Sequence, residues 1–235
     1  MSALATIASS AAEHGLSFLL AGGHAVIAHG HPRNTFDLDL IIRHSDRNPW
    51  TDLTRALGYV PHREGPTFLQ FDPPNPQSLP LDLMVVSDET FLKLAAEAVP
   101  APASTAGARM VSLRHLLALK CHAIKHGHPG RVVKDADDVI GLIRANRVDV
   151  NDPETRELFL KHGTTEFYEK SDESASGTEG PELELPDWSG MDDSSARVGP
   201  DAAFLLCEQY PVWFVEAAAR WRIQRPEKCL VEFTL

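Results

Sequence analysis

Two aspartates, Asp37 and Asp39, stand two residues apart beside an apolar run, and a glycine pair, Gly22-Gly23, follows an earlier apolar run, Phe18 to Ala21. On a strand, residues two apart point to the same face, so the two carboxylates lie side by side. Side by side they repel, unless a hard divalent cation such as Mg²⁺ bridges them; Mg²⁺ takes oxygens from one or two carboxylates and from substrate phosphates. Glycines between a strand and a helix let the backbone approach a phosphate, and the helix N-terminus offers it free N–H groups. A third carboxylate, Asp82, lies in the apolar segment LPLDLMVV. A buried charge there is costly unless it is paired or metal-bound. If that segment lies beside 37–43, Asp82 completes a triad able to hold two Mg²⁺ ions for an in-line displacement. Alternatively, Asp82 is a strand-end residue facing solvent. The chemistry these residues suit is phosphoryl or nucleotidyl transfer.

The elements that must position them follow from periodicity and turn residues. The spacing predicts a helix over 2–14 with Gly15 as its stop, a strand over 17–21, a helix over 23–29 closed by Gly30 and Pro32, and a strand over 37–43. A helix opens at Asn48-Pro49 and runs to Leu57. Thr67 to Phe71 and Leu79 to Val86 read as two strands of a hairpin around Pro73-Pro74-Asn75-Pro76. Ser87-Asp88 caps a helix over 89–97, PAPASTAG (100–107) is a small-residue connector, and Ser112 caps the long helix LRHLLALKCHAIKH. Another helix is expected from Lys134 to Ala145, and 152–162 can be helical. Residues 169–200 carry nine acidic and two basic residues and read as a loop or disordered segment. Residues 201–222 return to helical spacing. The expected organisation is a catalytic α/β domain over 1–146, a helical extension over 147–168, an acidic flexible loop over 169–200 and a C-terminal helical segment over 201–235.

With 235 residues and 43% hydrophobic content the chain can bury a sizeable core. No apolar run is long enough to span a bilayer. The first residues have neither a basic n-region nor a long apolar core, so no signal peptide is expected. Three scattered cysteines form no metal motif and suit a reducing cytoplasm. The net charge of −11 argues against broad electrostatic binding to nucleic acid, although the 169–200 stretch alone supplies −7 of it.

The segment GGHAVIAHGHPRNTFDLDL resembles the signature of the DNA polymerase β-like nucleotidyltransferase superfamily: a glycine pair, a helix, then Asp-x-Asp on a strand. Its spacing and its G-H-x-R-x-x-x-D-L-D portion are most similar to the AbiEii-type branch, the toxin half of bacterial abortive-infection and toxin–antitoxin systems. The resemblance covers roughly 15–145. It implies a mixed sheet flanked by helices and transfer of a nucleoside monophosphate from an NTP to an acceptor hydroxyl, with tRNA as acceptor and an antitoxin protein as partner in the toxin reading. Asp37, Asp39 and Asp82 would be metal ligands, and Gly22 and Gly23 would contact the triphosphate. Most of the superfamily has Ser where this chain has Gly23, so a hydroxyl contact to phosphate is lost.

The same resemblance nominates residues on later helices. Lys120, within the apolar stripe of Leu116, Leu117, Leu119 and Ile124, would bind the nucleotide phosphates; otherwise it snorkels to the surface. Lys134 and Asp135 would complete the site, with Asp135 polarising the acceptor or fixing a lysine. As a bland alternative, Asp135 is an acid meeting a helix dipole in a first turn. Arg33 has donors suited to a triphosphate oxygen; its alternative is a surface arginine salt-bridged to a neighbour. Asp137 and Asp138 read as surface or helix-packing acids. His24, His29 and His31 either join a mixed His/Asp zinc site or line the turn before the Asp pair. Trp213, Phe214 and Trp221, with arginines nearby, suit core packing better than a stacking platform for RNA. A catalytically degenerate nucleotide-binding or partner-binding module is the rival reading, favoured by the missing Ser and the acidic charge.

Overall fold

Strand alternation divides the apolar residues between two faces of one sheet. The computed structural model describes residues 2–102, 107–126 and 129–175. In chain order the elements are α1 (Ala3–Glu13), β1 (Leu19–Leu20), α2 (Gly22–Ala28), β2 (Leu38–Arg43), α3 (Arg47–Ala56), β3 (Val60–Gly65), β4 (Phe68–Asp72), β5 (Leu81–Val86), α4 (Asp88–Ala96), β6 (Val99–Pro100), β7 (Arg109–Met110), α5 (Leu113–His126), α6 (Pro129–Asn146), α7 (Pro153–His162) and α8 (Thr165–Ala175). The seven strands form one mixed sheet in the order β3-β4-β5-β2-β1-β7-β6.

One face carries Leu20, Leu38, Leu40, Ile42, Leu69, Phe71, Leu81, Leu83 and Val85 and packs on Leu4, Ile7 and Ala11 of α1 and Trp50 and Leu53 of α3. The other face, at Leu19 and Ile41, is covered by α2, α5 and α6 through Val26, Leu117, Val139 and Leu142, and this core continues into Leu158, Phe159, Phe167 and Tyr168 of α7 and α8. Removing this apolar surface from water is the main driving force for both layers. On β5, Leu81, Leu83 and Val85 are buried while Asp82 and Met84 lie on the less covered side. That alternation frees Asp82 from the core and turns it toward the site.

The pairing that matters for the site is β2 with β5, parallel, with Asp39 opposite Asp82 in register. The expected hairpin is present: β4 pairs antiparallel with β5, which places Gln70 opposite Asp82. Helix caps also follow the expectation: Ser87 accepts from the Thr90 amide at 3.1 Å and Ser112 from the His115 amide at 3.3 Å. Gly15, at φ +66°, ends α1 in the left-handed conformation.

Three differences bear on function. α6 starts at Pro129, not Lys134. Proline suits the first turn, where its missing N–H is not needed. Lys134 and Asp135 therefore do not open the helix, and the dipole account of Asp135 falls. α8 runs to Ala175, so helix extends past 169 into the stretch expected to be irregular. The edge strand β3 and the short strands β6 and β7 were not expected. The connector residues 103–106, the rest of the acidic stretch and the aromatics Trp213, Phe214 and Trp221 lie outside the described residues. No helix among the described residues is long and apolar enough to cross a membrane.

Candidate active site

The site forms where the N-terminal ends of β2 and β5 meet the N-terminus of α2. Asp37, Asp39 and Asp82 each contribute a carboxylate oxygen, and these oxygens lie within 4.8 Å of one another. They are the only such group of acidic, histidine or cysteine side chains among the described residues. Each carboxylate is set by a different device. Asp82 accepts from the Gln70 side-chain amide at 2.9 Å across the strand pair. Asp37 accepts from the Thr35 hydroxyl at 2.8 Å. Asp39 is packed against Gly22: a Cβ added there would overlap Asp39 Oδ2. Gly22 has φ +55°, a conformation that favours glycine.

Gly23 is hemmed in as well. An added Cβ would overlap the Thr35 hydroxyl and lie 2.8 Å from Arg33 Nη2. A serine therefore has no room at this position while Thr35 holds Asp37. The glycine at position 23 and the Thr35–Asp37 bond are two sides of one packing solution.

Burial and the crowding of negative charge raise the proton affinity of Asp39 and Asp82. Asp39 is pushed up from 3.8 to about 6, first by burial, then by the charges of Asp37 and Asp82, with Lys120 and Arg131 pulling the other way. Burial also pushes Asp82 upward, against the Gln70 hydrogen bond. Three hard oxygen donors that repel one another in this way fit a divalent cation of the Mg²⁺ type. His24, beside Asp37 and Arg33, is held low by burial, and its Nε2 has no hydrogen-bond partner among the described residues.

A stability prediction arises here. A carboxyl with a native pKa above its unfolded value stabilises the native state while protonated. That stability is complete below pH ~4 and is lost as pH rises through about 6, an effect of about 3 kcal/mol for this shift. In EDTA at pH 7, Asp39→Asn should therefore unfold at higher urea than the wild type, and the gap should close as pH falls to 4. Saturating Mg²⁺ at pH 7 should reverse the order, because only the wild type gains binding energy.

Behind the triad lies a four-charge cluster. Arg33 Nε is 2.6 Å from Asp138 Oδ1, and its Nη2 is 3.2 Å from Oδ2. Lys120 Nζ lies 2.7 Å from Asp138 Oδ2 and 2.6 Å from Asp135 Oδ1. Asp138 is 0% exposed, which excludes the surface alternative and fits the helix-packing one. Arg33 is salt-bridged to a neighbour, as its alternative reading expects, but it is largely buried rather than on the surface. Lys120 does not snorkel to the surface: it is buried, with two of its three N–H donors taken. Lys134 is exposed, as is Asp137, which sits 3.5 Å from His31. His29 Nε2 donates to the Val111 carbonyl at 2.9 Å and His31 packs against Gly141, so both line the turn and neither joins the carboxylates.

Sequence reading missed Thr35, Gln70, Asp138 and Arg131. Arg131 stands in the first turn of α6 and is exposed; its charge reaches both Asp39 and Asp82. For Asp138 a signal existed: Asp135, Asp138, Val139 and Leu142 are spaced i, i+3, i+4, i+7, one stripe of a helix.

No family model matches the chain, and no curated protein does. Among solved structures, that of ANT(2″)-Ia in complex with adenylyl-2″-tobramycin aligns with TM-score 0.51 and 15% identity, over 66% of this chain and 92% of that one. An antigenic nucleotidyltransferase-like protein from Paracoccidioides brasiliensis aligns at TM-score 0.48 and 14% identity, over 74% of this chain and 90% of that one. The lincomycin-bound lincosamide antibiotic adenylyltransferase LnuA aligns at 0.44 and 13%, over 58% and 92%. With a mixed sheet flanked by helices and a carboxylate triad at the N-terminal ends of two adjacent parallel strands, the chain has the nucleotidyltransferase fold.

Proposed function

We propose that the protein is a Mg²⁺-dependent nucleotidyltransferase that moves a nucleoside monophosphate from an NTP to an acceptor hydroxyl. The observation that carries this reading is the convergence of Asp37, Asp39 and Asp82 beside the Gly22-Gly23 turn. Asp37, Asp39 and Asp82 would hold two Mg²⁺ ions. When bound, these ions supply charge neutralisation on the triphosphate and lower the pKa of the attacking hydroxyl. The residues of the chain do the rest. The α2 N-terminus offers backbone N–H groups to phosphate oxygens. Gln70 and Thr35 hold Asp82 and Asp37 in place so that reaction needs no reorganisation of the ligands.

Arg131 and Lys134, exposed on α6, are the cations available to the triphosphate, together with the remaining N–H of Lys120. Arg131→Ala is expected to raise KM for the NTP about tenfold while changing kcat little, as loss of a single charge-assisted phosphate contact would. Steady-state kinetics with varied NTP checks this.

The acceptor we assign is tRNA, with an antitoxin protein as partner and the cytoplasm as site of action. Support comes from the resemblance of Arg33-Asn34-Thr35-Phe36-Asp37-Leu38-Asp39 to the AbiEii-type toxins. The test is incubation with each labelled NTP, Mg²⁺ and total cellular RNA, with Asp39→Asn alongside. Label in tRNA that the variant loses supports the assignment. Label that passes instead to added aminoglycosides, an acceptor class suggested by the adenylyl-tobramycin complex of ANT(2″)-Ia and by the net charge of −11, overturns the tRNA assignment and keeps the transferase. NTP binding with no transfer to either leaves a binding module.

A further inference from the structure

The loop between α2 and β2 carries Asp37 into the site, yet residues 31–36 belong to neither helix nor strand. Its position therefore depends on side-chain bonds. Three are present. Thr35 donates to Asp37 at 2.8 Å, Arg33 Nη1 donates to the Asn34 carbonyl at 2.8 Å, and the Arg33 guanidinium forks onto Asp138. Asp138 is in turn shared with Lys120 of α5, which Asp135 also holds. Two cations and two carboxylates thus neutralise each other, with side-chain exposures of 12% for Arg33, 9% for Lys120, 2% for Asp135 and 0% for Asp138.

Burying four charges is an inefficient way to gain stability, because desolvation offsets most of the attraction and an apolar cluster of the same volume would serve as well or better. What such a cluster does supply is fixed geometry, since an Arg–carboxylate fork has one favoured arrangement. Resting on the metal-site reading above, we infer that Arg33 and Asp138, with Lys120 and Asp135 behind them, are positioning residues. They tether the 31–37 loop to α5 and α6 and so set Asp37 for the metal. Arg33 acts through Thr35, and neither touches substrate.

The experiment measures Mn²⁺ affinity by calorimetry, and the melting temperature in EDTA, for wild type, Arg33→Lys, Thr35→Val and the double variant. Arg33→Lys keeps the charge and loses the fork. Thr35→Val keeps the shape and loses the hydroxyl. Each is expected to weaken Mn²⁺ binding about tenfold or more, the usual effect of removing an outer partner of a ligand. The double variant should fall short of the product of the two losses, because both act through one loop. A purely structural role predicts the opposite pattern: a lowered melting temperature in EDTA with Mn²⁺ affinity of the folded protein unchanged. That result, in Thr35→Val as well as in Arg33→Lys, overturns the inference and leaves the metal site standing. Wild type that binds no Mn²⁺ overturns the metal-site reading itself.

Discussion

Asp39→Asn is expected to abolish the proposed nucleotide transfer, with kcat lowered about 10³-fold or more, and to leave the far-ultraviolet circular dichroism unchanged. The size follows from what the carboxylate does. Metal-based charge stabilisation is worth several kcal/mol in the transition state, and each 1.36 kcal/mol is tenfold in rate. Asp39 sits on β2 directly opposite Asp82, so its removal breaks the one pair of triad carboxylates that face each other in register across the strands. The fold survives because Asn is nearly isosteric and because neutralising this position relieves the burial cost and the repulsion that push Asp39 up to about 6. Loss of activity with gain of metal-free stability is a signature that a purely structural aspartate would not give. A variant that keeps wild-type turnover would sink the enzyme reading, since no other cluster of metal-ligating side chains exists among the described residues.

The triad was legible because each of its members breaks a strong local pattern. A charge inside FDLDLII or LPLDLMVV has no cheap resting place in an apolar strand, and the only unknown is whether the two strands are neighbours. Their parallel pairing depends on the whole sheet order, which periodicity does not encode, yet the chemistry of the residues already required it. The supporting residues were harder to see. Thr35 and Gln70 are unremarkable locally, and their roles follow from a two-residue loop geometry and from the β4–β5 register. β3, with Pro61, His62, Arg63 and Glu64 in it, is exposed along almost its whole length and shows no apolar alternation to read. The start of α6 was set too late because His128-Pro129-Gly130 reads as a turn, whereas proline is equally at home in a first helical turn. In the run Asp135-Ala136-Asp137-Asp138, composition alone does not say which acid is buried. Helical spacing does, by putting Asp135 and Asp138 on the stripe with Val139 and Leu142 and Asp137 off it.

Gly22→Ala should be the most damaging change outside the carboxylates themselves. Gly22 and Gly15 both have positive φ, +55° and +66°, so alanine at either pays the left-handed penalty of about 1–2 kcal/mol. The surroundings differ. Nothing lies within 4 Å of a Cβ built at Gly15, whereas at Gly22 that Cβ falls on the Asp39 side chain. Gly15→Ala is therefore expected to lower stability by about that penalty and to leave transfer intact. Gly22→Ala must displace Asp39 or the α2 N-terminus, and either movement separates the metal ligands from the backbone that faces the phosphates. A loss of transfer of at least about 100-fold is expected, the scale on which misplacement of about 1 Å acts. Gly23→Ser should also lower activity, because its Cβ competes with the Thr35 hydroxyl that holds Asp37. Kinetics and urea unfolding on the three variants separate the two kinds of glycine: one kept for the backbone angle alone, the other kept because a carboxylate occupies the space where a side chain would stand.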